Sequence, residues 1–275
     1  METLFWSAAT ALIFTLGASI GSFLNVVIYR VPAGLSILFP PSRCPHCLRQ
    51  LGKRENIPIL GWLWLRGRCL HCKTPISARY PLVEAITGLL FVATFWHFDL
   101  SWEMVGYWAF LSWLLALAFI DLDTMTLPNS LTQSGLIAGL GFTVLAGLQT
   151  SIAIAPVSST LASDLMRGIF GAVLGLWLFE SISLVGSLAL GKTAMGAGDA
   201  KLAAMMGAWL GWKLLLVAGF LGCALGAFVG GTAMALSILQ RGQVIPFGPF
   251  LALGAILTVF WGEPLLSGYL NLFFP

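Results

Sequence analysis

The stretch "LFWSAATALIFTLGASIGSFLNVVI", residues 4–28, runs 25 residues without an Asp, Glu, Lys or Arg. As an α-helix it is about 37 Å long, enough to cross a hydrocarbon core of about 30 Å. Lipid offers no partner to a peptide group, so a run of this kind is stable there only if every N–H and C=O is satisfied inside the helix. The run follows Met1-Glu2-Thr3 directly, with no basic n-region and no small-residue cleavage site, and so reads as a retained span rather than a signal peptide. Similar runs fill most of the remaining chain. With 58% hydrophobic and 9% charged residues and a mean hydropathy of +0.92, the composition excludes most soluble folds. The pattern predicts an all-α polytopic membrane protein of about eight spans: 4–28, 82–98, 103–121, 129–149, 163–190, 199–216, 218–239 and 248–265. The sixth, with Gly207, Gly211 and Lys213, reads as short or broken. Glycine-rich texture in spans five to seven suggests close helix packing.

Charge sets the orientation. Nine of the 14 Lys and Arg fall between Arg30 and Arg79, in the one long polar segment. The positive-inside rule makes that segment cytoplasmic and the N-terminus external. Its basic residues also suit anionic lipid headgroups, and nothing in the pattern points to nucleic acid. Arg167 and Lys213 fall near the outer face, against the rule, and Arg241 falls inside. Three regions follow: a first helix, 1–28; a cytoplasmic loop domain, 29–81; and a transmembrane domain, 82–275.

The loop carries "CPHC" (Cys44, Cys47) and "CLHC" (Cys69, Cys72), two C-x2-C pairs separated by 21 residues. Four thiolates so spaced suit one closed tetrahedral zinc site. Disulfides or a redox pair are the alternatives. A reducing cytoplasm argues against the first, and the lack of a βαβ context against the second. His46 and His71 are then spare, and Cys223 reads as a small buried residue of a span. The zinc would be structural, folding a loop too small and polar to fold alone.

Of the 11 acids, Glu2, Asp99, Glu103, Asp164 and Glu263 lie at expected span ends, where water or headgroups reach them. Glu84 and Glu180 lie further in, and Glu84 could pair with a loop arginine. Two places stand apart. "FIDLDTMTLPNS" (119–130) puts Asp121 and Asp123 at the inner end of span three, and "GAGDAKL" (196–202) puts Asp199 at the inner start of span six. Span parity alone places them on one membrane face. Two close carboxyls cannot easily both ionise, so they share a proton; one then serves as base toward water and the other as acid. Residues two apart on a helix diverge by about 200°, so only one of Asp121 and Asp123 can face Asp199, and Asp123, nearer Pro128, can reach water.

These stretches, with "GSFLNVVIYRVP" (21–32), "ISARYPLVE" (76–84) and "PFGPFLALG" (246–254), resemble the type IV prepilin peptidases, bacterial inner-membrane aspartyl proteases of the GxGD class. The resemblance covers most of the chain, in the family's order. It implies that Asp121 and Asp199 are catalytic and that a short basic leader is cut after a glycine from type IV prepilins or from type II secretion pseudopilins. It also implies methylation of the new N-terminus with S-adenosylmethionine, though the sequence itself shows no methyl-donor site. The 78-residue separation of the two acids is long for the family, and the extra length falls in the expected outer loop 150–162. Two rival readings remain: another GxGD intramembrane protease, which should lack the cysteine loop, and a transporter, whose acids belong at mid-membrane rather than at one face.

Overall fold

A computed structural model describes residues 2–153, 157–191, 195–238, 240 and 245–273. It contains α1 (Glu2–Arg30), α2 (Leu60–Trp64), α3 (Arg79–Phe98), α4 (Trp102–Thr124), α5 (Asn129–Ala153), α6 (Val157–Leu190), α7 (Ala197–Ala235) and α8 (Gly248–Phe273), and no strand among the described residues. All but α2 are long and apolar enough to cross a membrane, so seven helices qualify as spans. The chain is a multi-pass helical membrane protein. Many large apolar side chains, such as Phe220, Phe228 and Trp177, point outward, where lipid rather than water is their natural neighbour.

The difference between eight expected spans and seven helices lies in α7. The expected spans 199–216 and 218–239 form one element that breaks at Gly211, whose φ of 71° and ψ of 171° are not helical. Only glycine enters that region without a Cβ clash. The two legs, 197–210 and 212–235, run in opposite senses along α6. Ala203 and Gly207 of the first leg lie against Gly175 and Gly171, whereas Gly219 of the second comes back to Phe179. The expected loop 150–162 is also shorter than read, since α5 continues to Ala153 and α6 begins at Val157. Residues 154–156 of that loop, 192–194 of the next expected inner segment, and Arg241 lie outside the described residues.

Two compact units divide the chain, Met1–Ala116 and Leu117–Pro275, the boundary falling inside α4. In the first, α1 and α3 pack through glycine. A Cβ on Gly17 would sit 2.9 Å from Gly88 Cα, and one on Gly21 2.7 Å from Glu84 Cα. Around this contact lie Ile13, Phe91, Val92, Phe95 and Met104, with Trp108 stacked on Phe91 at 4.8 Å. Ser101 caps α4 by accepting the Met104 N–H at 3.1 Å.

In the second unit, Gly168, Gly171 and Gly175 form a stripe on α6 that receives the first leg of α7. Trp209 crosses to α5, where its indole N–H donates to the Gly135 carbonyl at 2.8 Å. The second leg of α7 packs on α8 through Gly222 and Gly254. Between helices in lipid there is no hydrophobic drive, so close backbone approach supplies the dispersion contact that holds them.

A side chain at Gly171 would overlap the Gly207 carbonyl, while Gly141 faces open space. Gly171→Leu is expected to destabilise the detergent-solubilised protein by roughly 1–3 kcal/mol through overpacking, and Gly141→Ala to leave it unchanged. Thermal unfolding followed by intrinsic fluorescence checks both.

Candidate functional site

The acids are placed by helix ends. Helix α4 stops because Met125 takes a φ of 51° while its N–H still bonds to the Asp121 carbonyl at 2.9 Å. That leaves Asp121 in the last turn, 5% exposed, with Asp123 exposed. Helix α7 starts from Gly196, which is extended at φ −74° and ψ 145°, and Asp199 occupies its first turn, 6% exposed. Asp121 Oδ2 accepts the Gly248 N–H at 2.9 Å, which brings the start of α8 to the same place. The two carboxyls are near enough for the charge of Asp121 to act on Asp199.

The connecting segment is clasped down beside them. A Cβ on Gly198 would lie 2.9 Å from Leu127 Cβ, and Lys201 Nζ donates to Asn129 Oδ1 at 2.7 Å. Gly248 is equally constrained, since a Cβ there would fall 2.7 Å from Asp121 Oδ2. The sequence marked Asp121 and Asp199, but not the contacts that Lys201, Asn129 and Gly248 make around them. Asn129 and Gly248 stood out only as members of the stretches 119–130 and 246–254.

In the first unit, the four cysteines converge. Their sulfurs all lie within 4.8 Å of one another, with Cys44 and Cys72 at 3.7 Å and Cys47 and Cys69 at 4.0 Å. Zinc–thiolate bonds of about 2.3 Å give a tetrahedral edge of about 3.8 Å, so the cluster fits a single ion with little adjustment. The two knuckles repeat one pattern. Cys44 N–H bonds to Arg49 C=O and Cys69 N–H to Thr74 C=O; Leu48 N–H returns to Cys44 and Lys73 N–H to Cys69. Leu48 and Lys73 share a φ of 57°. The sequence shows the cysteine spacing but not this duplicated backbone. Hydrogen bonding with Thr74, first its hydroxyl and then its backbone, brings the Cys72 thiol down to about 6. Against the Arg49 backbone, desolvation and the other thiols push Cys47 up to about 11. Four thiolates repel in one place unless a cation joins them.

Glu84 differs from expectation. No arginine pairs with it in the described contacts; its Oε2 accepts the Ile59 N–H at 2.7 Å, and Ser22 of α1 bonds to the same side chain. Ile59 stands at φ 61°, a strained conformation for a β-branched residue, so Glu84 pins a strained corner of the loop to α1 and α3. Glu180 is exposed on α6. Cys223, read as buried, is exposed, because the α7 face that packs on α8 is that of Gly222.

A multi-pass helical protein with two buried, interacting carboxyls at helix ends and a four-thiol knuckle outside its spans defines a narrow class of membrane protein. Residues 15–98 match the bacterial peptidase A24 N-terminal domain, and residues 108–231 match the type IV leader peptidase family. The chain belongs to that family. Among its relatives, the prepilin leader peptidase/N-methyltransferase of Aeromonas hydrophila is 38% identical over 288 residues, covering 96% of this chain and 94% of the relative. The protein of the same name from Stutzerimonas stutzeri is 38% identical over 93% of this chain and 92% of its own length. That from Myxococcus xanthus is 43% identical over 85% of this chain and 64% of its own. No solved structure matches the chain.

The thiol cluster is expected to take up about one tetrahedral divalent ion per chain. Cobalt(II) added to metal-stripped protein should give thiolate-to-metal charge-transfer absorption, and Cys69→Ser should weaken it and loosen the loop to proteolysis while leaving the helices folded by circular dichroism.

Proposed function

We propose that this protein removes the short basic leader from type IV prepilins or type II secretion pseudopilins, cutting after a glycine, and that Asp121 and Asp199 perform the hydrolysis. The observation that carries the reading is their pairing. Each stands at a helix end, both are buried, and the charge of Asp121 acts on Asp199, in a chain of the leader peptidase family. Close carboxyls share one proton. In the reading, the ionised member takes a proton from a water, which adds to the scissile carbonyl. The protonated member first hydrogen-bonds that carbonyl, and the leaving amine takes up a proton as the C–N bond breaks. The Gly248 N–H engages one oxygen of Asp121 and fixes the carboxyl plane, leaving the other oxygen for water.

The basic loop 29–81 is cytoplasmic in this reading, the protein lies in the bacterial inner membrane, and the acid pair opens toward the cytoplasm. Cys44, Cys47, Cys69 and Cys72 hold a structural zinc: a closed four-thiolate site has no open position for a substrate. The helices from 82 onward house the peptidase. The relatives' names support a second activity, in which the freed amine takes a methyl group from S-adenosylmethionine; the residues that would bind the donor are not assigned.

Asp121→Asn and Asp199→Asn are each expected to abolish leader removal from a prepilin, read as a gel shift at matched protein levels. Asp123→Asn is expected to keep a measurable fraction. An inactive Asp123→Asn beside an active Asp121→Asn would overturn the assignment.

Asp199→Asn is also expected to leave methylation of a pre-cleaved pilin N-terminus intact, seen by mass spectrometry as the added methyl group. Equal loss of both activities in folded protein would refute separate sites.

A further inference from the structure

At the end of the second unit away from the acids, α6, the turn at Gly211 and α8 border an open recess of about 660 Å³ lined by Phe170, Leu266, Leu270 and the exposed Arg167, Lys213 and Glu263, among others. Its floor is set by the short first leg of α7. The 14 residues 197–210 rise about 21 Å, less than the roughly 30 Å of a hydrocarbon core. The neighbours go further: α6 begins at Val157, ahead of Arg167, and α8 continues from Glu263 to Phe273. The turn is thus sunk between helices that rise past it.

Charges gather in this hollow. The Arg167 side chain lies over the turn, its Nε 2.6 Å from where a Gly211 Cβ would be. Lys213 Nζ lies 5.7 Å from the centre of the Trp212 ring. Among the described residues, neither cation forms an ion pair with Glu263 or any other acid. Two cations at this end also run against the charge bias of the chain, whose basic residues concentrate in the loop 29–81. Basic side chains within a membrane protein mark anion sites when they converge between helices. The walls narrow the choice of anion. Phe170, Leu266 and Leu270 offer apolar surface that a free ion does not use but an acyl chain does. Glu263 narrows it again, because a carboxylate beside a phosphate repels it unless the same ligand brings a cation.

We propose that this recess binds a zwitterionic phospholipid with a primary-amine headgroup. Arg167 and Lys213 take the phosphate through charge-assisted hydrogen bonds, Glu263 takes the ammonium, and the apolar wall takes the upper acyl chain. The site is separate from the acid pair, and lipid binding can be read without any peptidase assay.

The test is native mass spectrometry of the full-length protein in mild detergent, delipidated and titrated with phosphatidylethanolamine, with phosphatidylglycerol, and with inorganic phosphate as competitor. Wild type is expected to retain phosphatidylethanolamine in preference to phosphatidylglycerol. The double variant Arg167→Gln/Lys213→Gln should lose at least about tenfold in retention, equivalent to about 1.4 kcal/mol. Glu263→Gln should shift the preference toward phosphatidylglycerol. Unchanged retention in the double variant, equal binding of both lipids by wild type, or displacement of lipid by millimolar phosphate would each overturn the proposal. If the double variant does not fold, thermal unfolding decides. Phosphatidylethanolamine must raise the melting temperature of wild type more than that of Glu263→Gln, and the absence of that difference overturns the site.

Discussion

Inside a bilayer, a peptide group or a carboxyl without a partner is expensive, and that constraint arranges the second unit. Long helices satisfy their own backbones, so spare backbone donors and acceptors are found where helices start, stop or break. Asp121 sits at a stop, Asp199 at a start, and Gly248, whose N–H faces Asp121, at another start. The first turn of a helix has N–H groups with no intrahelical acceptor, so the opening residue of α8 has a donor to spare where Asp121 has an oxygen to satisfy. The site exists because three helix termini meet, and each terminus is written in local chemistry: the left-handed Met125, the extended Gly196, and the stretch leading into Gly248.

The glycines bring those termini together. Gly171 and Gly207 allow α6 and the first leg of α7 to touch backbone to backbone, and Gly222 and Gly254 do the same for the second leg and α8. Helices spaced by larger side chains would sit about 8–10 Å apart, and Asp199 would be held away from Asp121. The same economy appears between α1 and α3 at Gly17 and Gly21, where it serves the seating of the loop through Glu84 rather than the acids.

Much of this was legible in the sequence because it rests on local rules. Span positions follow from apolar run length, the thiol cluster from cysteine spacing, and the exposure of Asp123 beside buried Asp121 from its place nearer Pro128. What was not legible depends on tertiary contact. The reversal in α7 could not be fixed at Gly211 because several glycines were candidates, and only packing against α6 selects one. The exposure of Cys223 is decided by which α7 face meets α8, and small residues occur on both. Glu84 pairs with a backbone N–H of Ile59 rather than a basic side chain, and no residue type announces a backbone donor. The duplicated knuckle geometry was hidden because Arg49 and Thr74 share no side-chain chemistry and contribute only carbonyls.

The four-thiol knuckle has a meaning beyond ligand count. An ion seated among Cys44, Cys47, Cys69 and Cys72 is a cross-link between chain positions 22 to 28 residues apart. By loop-closure entropy, tying a segment of that length removes about 3–4 kcal/mol of disorder from the unfolded chain. A disulfide would do the same only where an oxidant is at hand, whereas a thiolate clip closes in a reducing compartment and reopens under chelation. A loop ordered by such an ion would follow metal supply, as long as its thiols stay reduced.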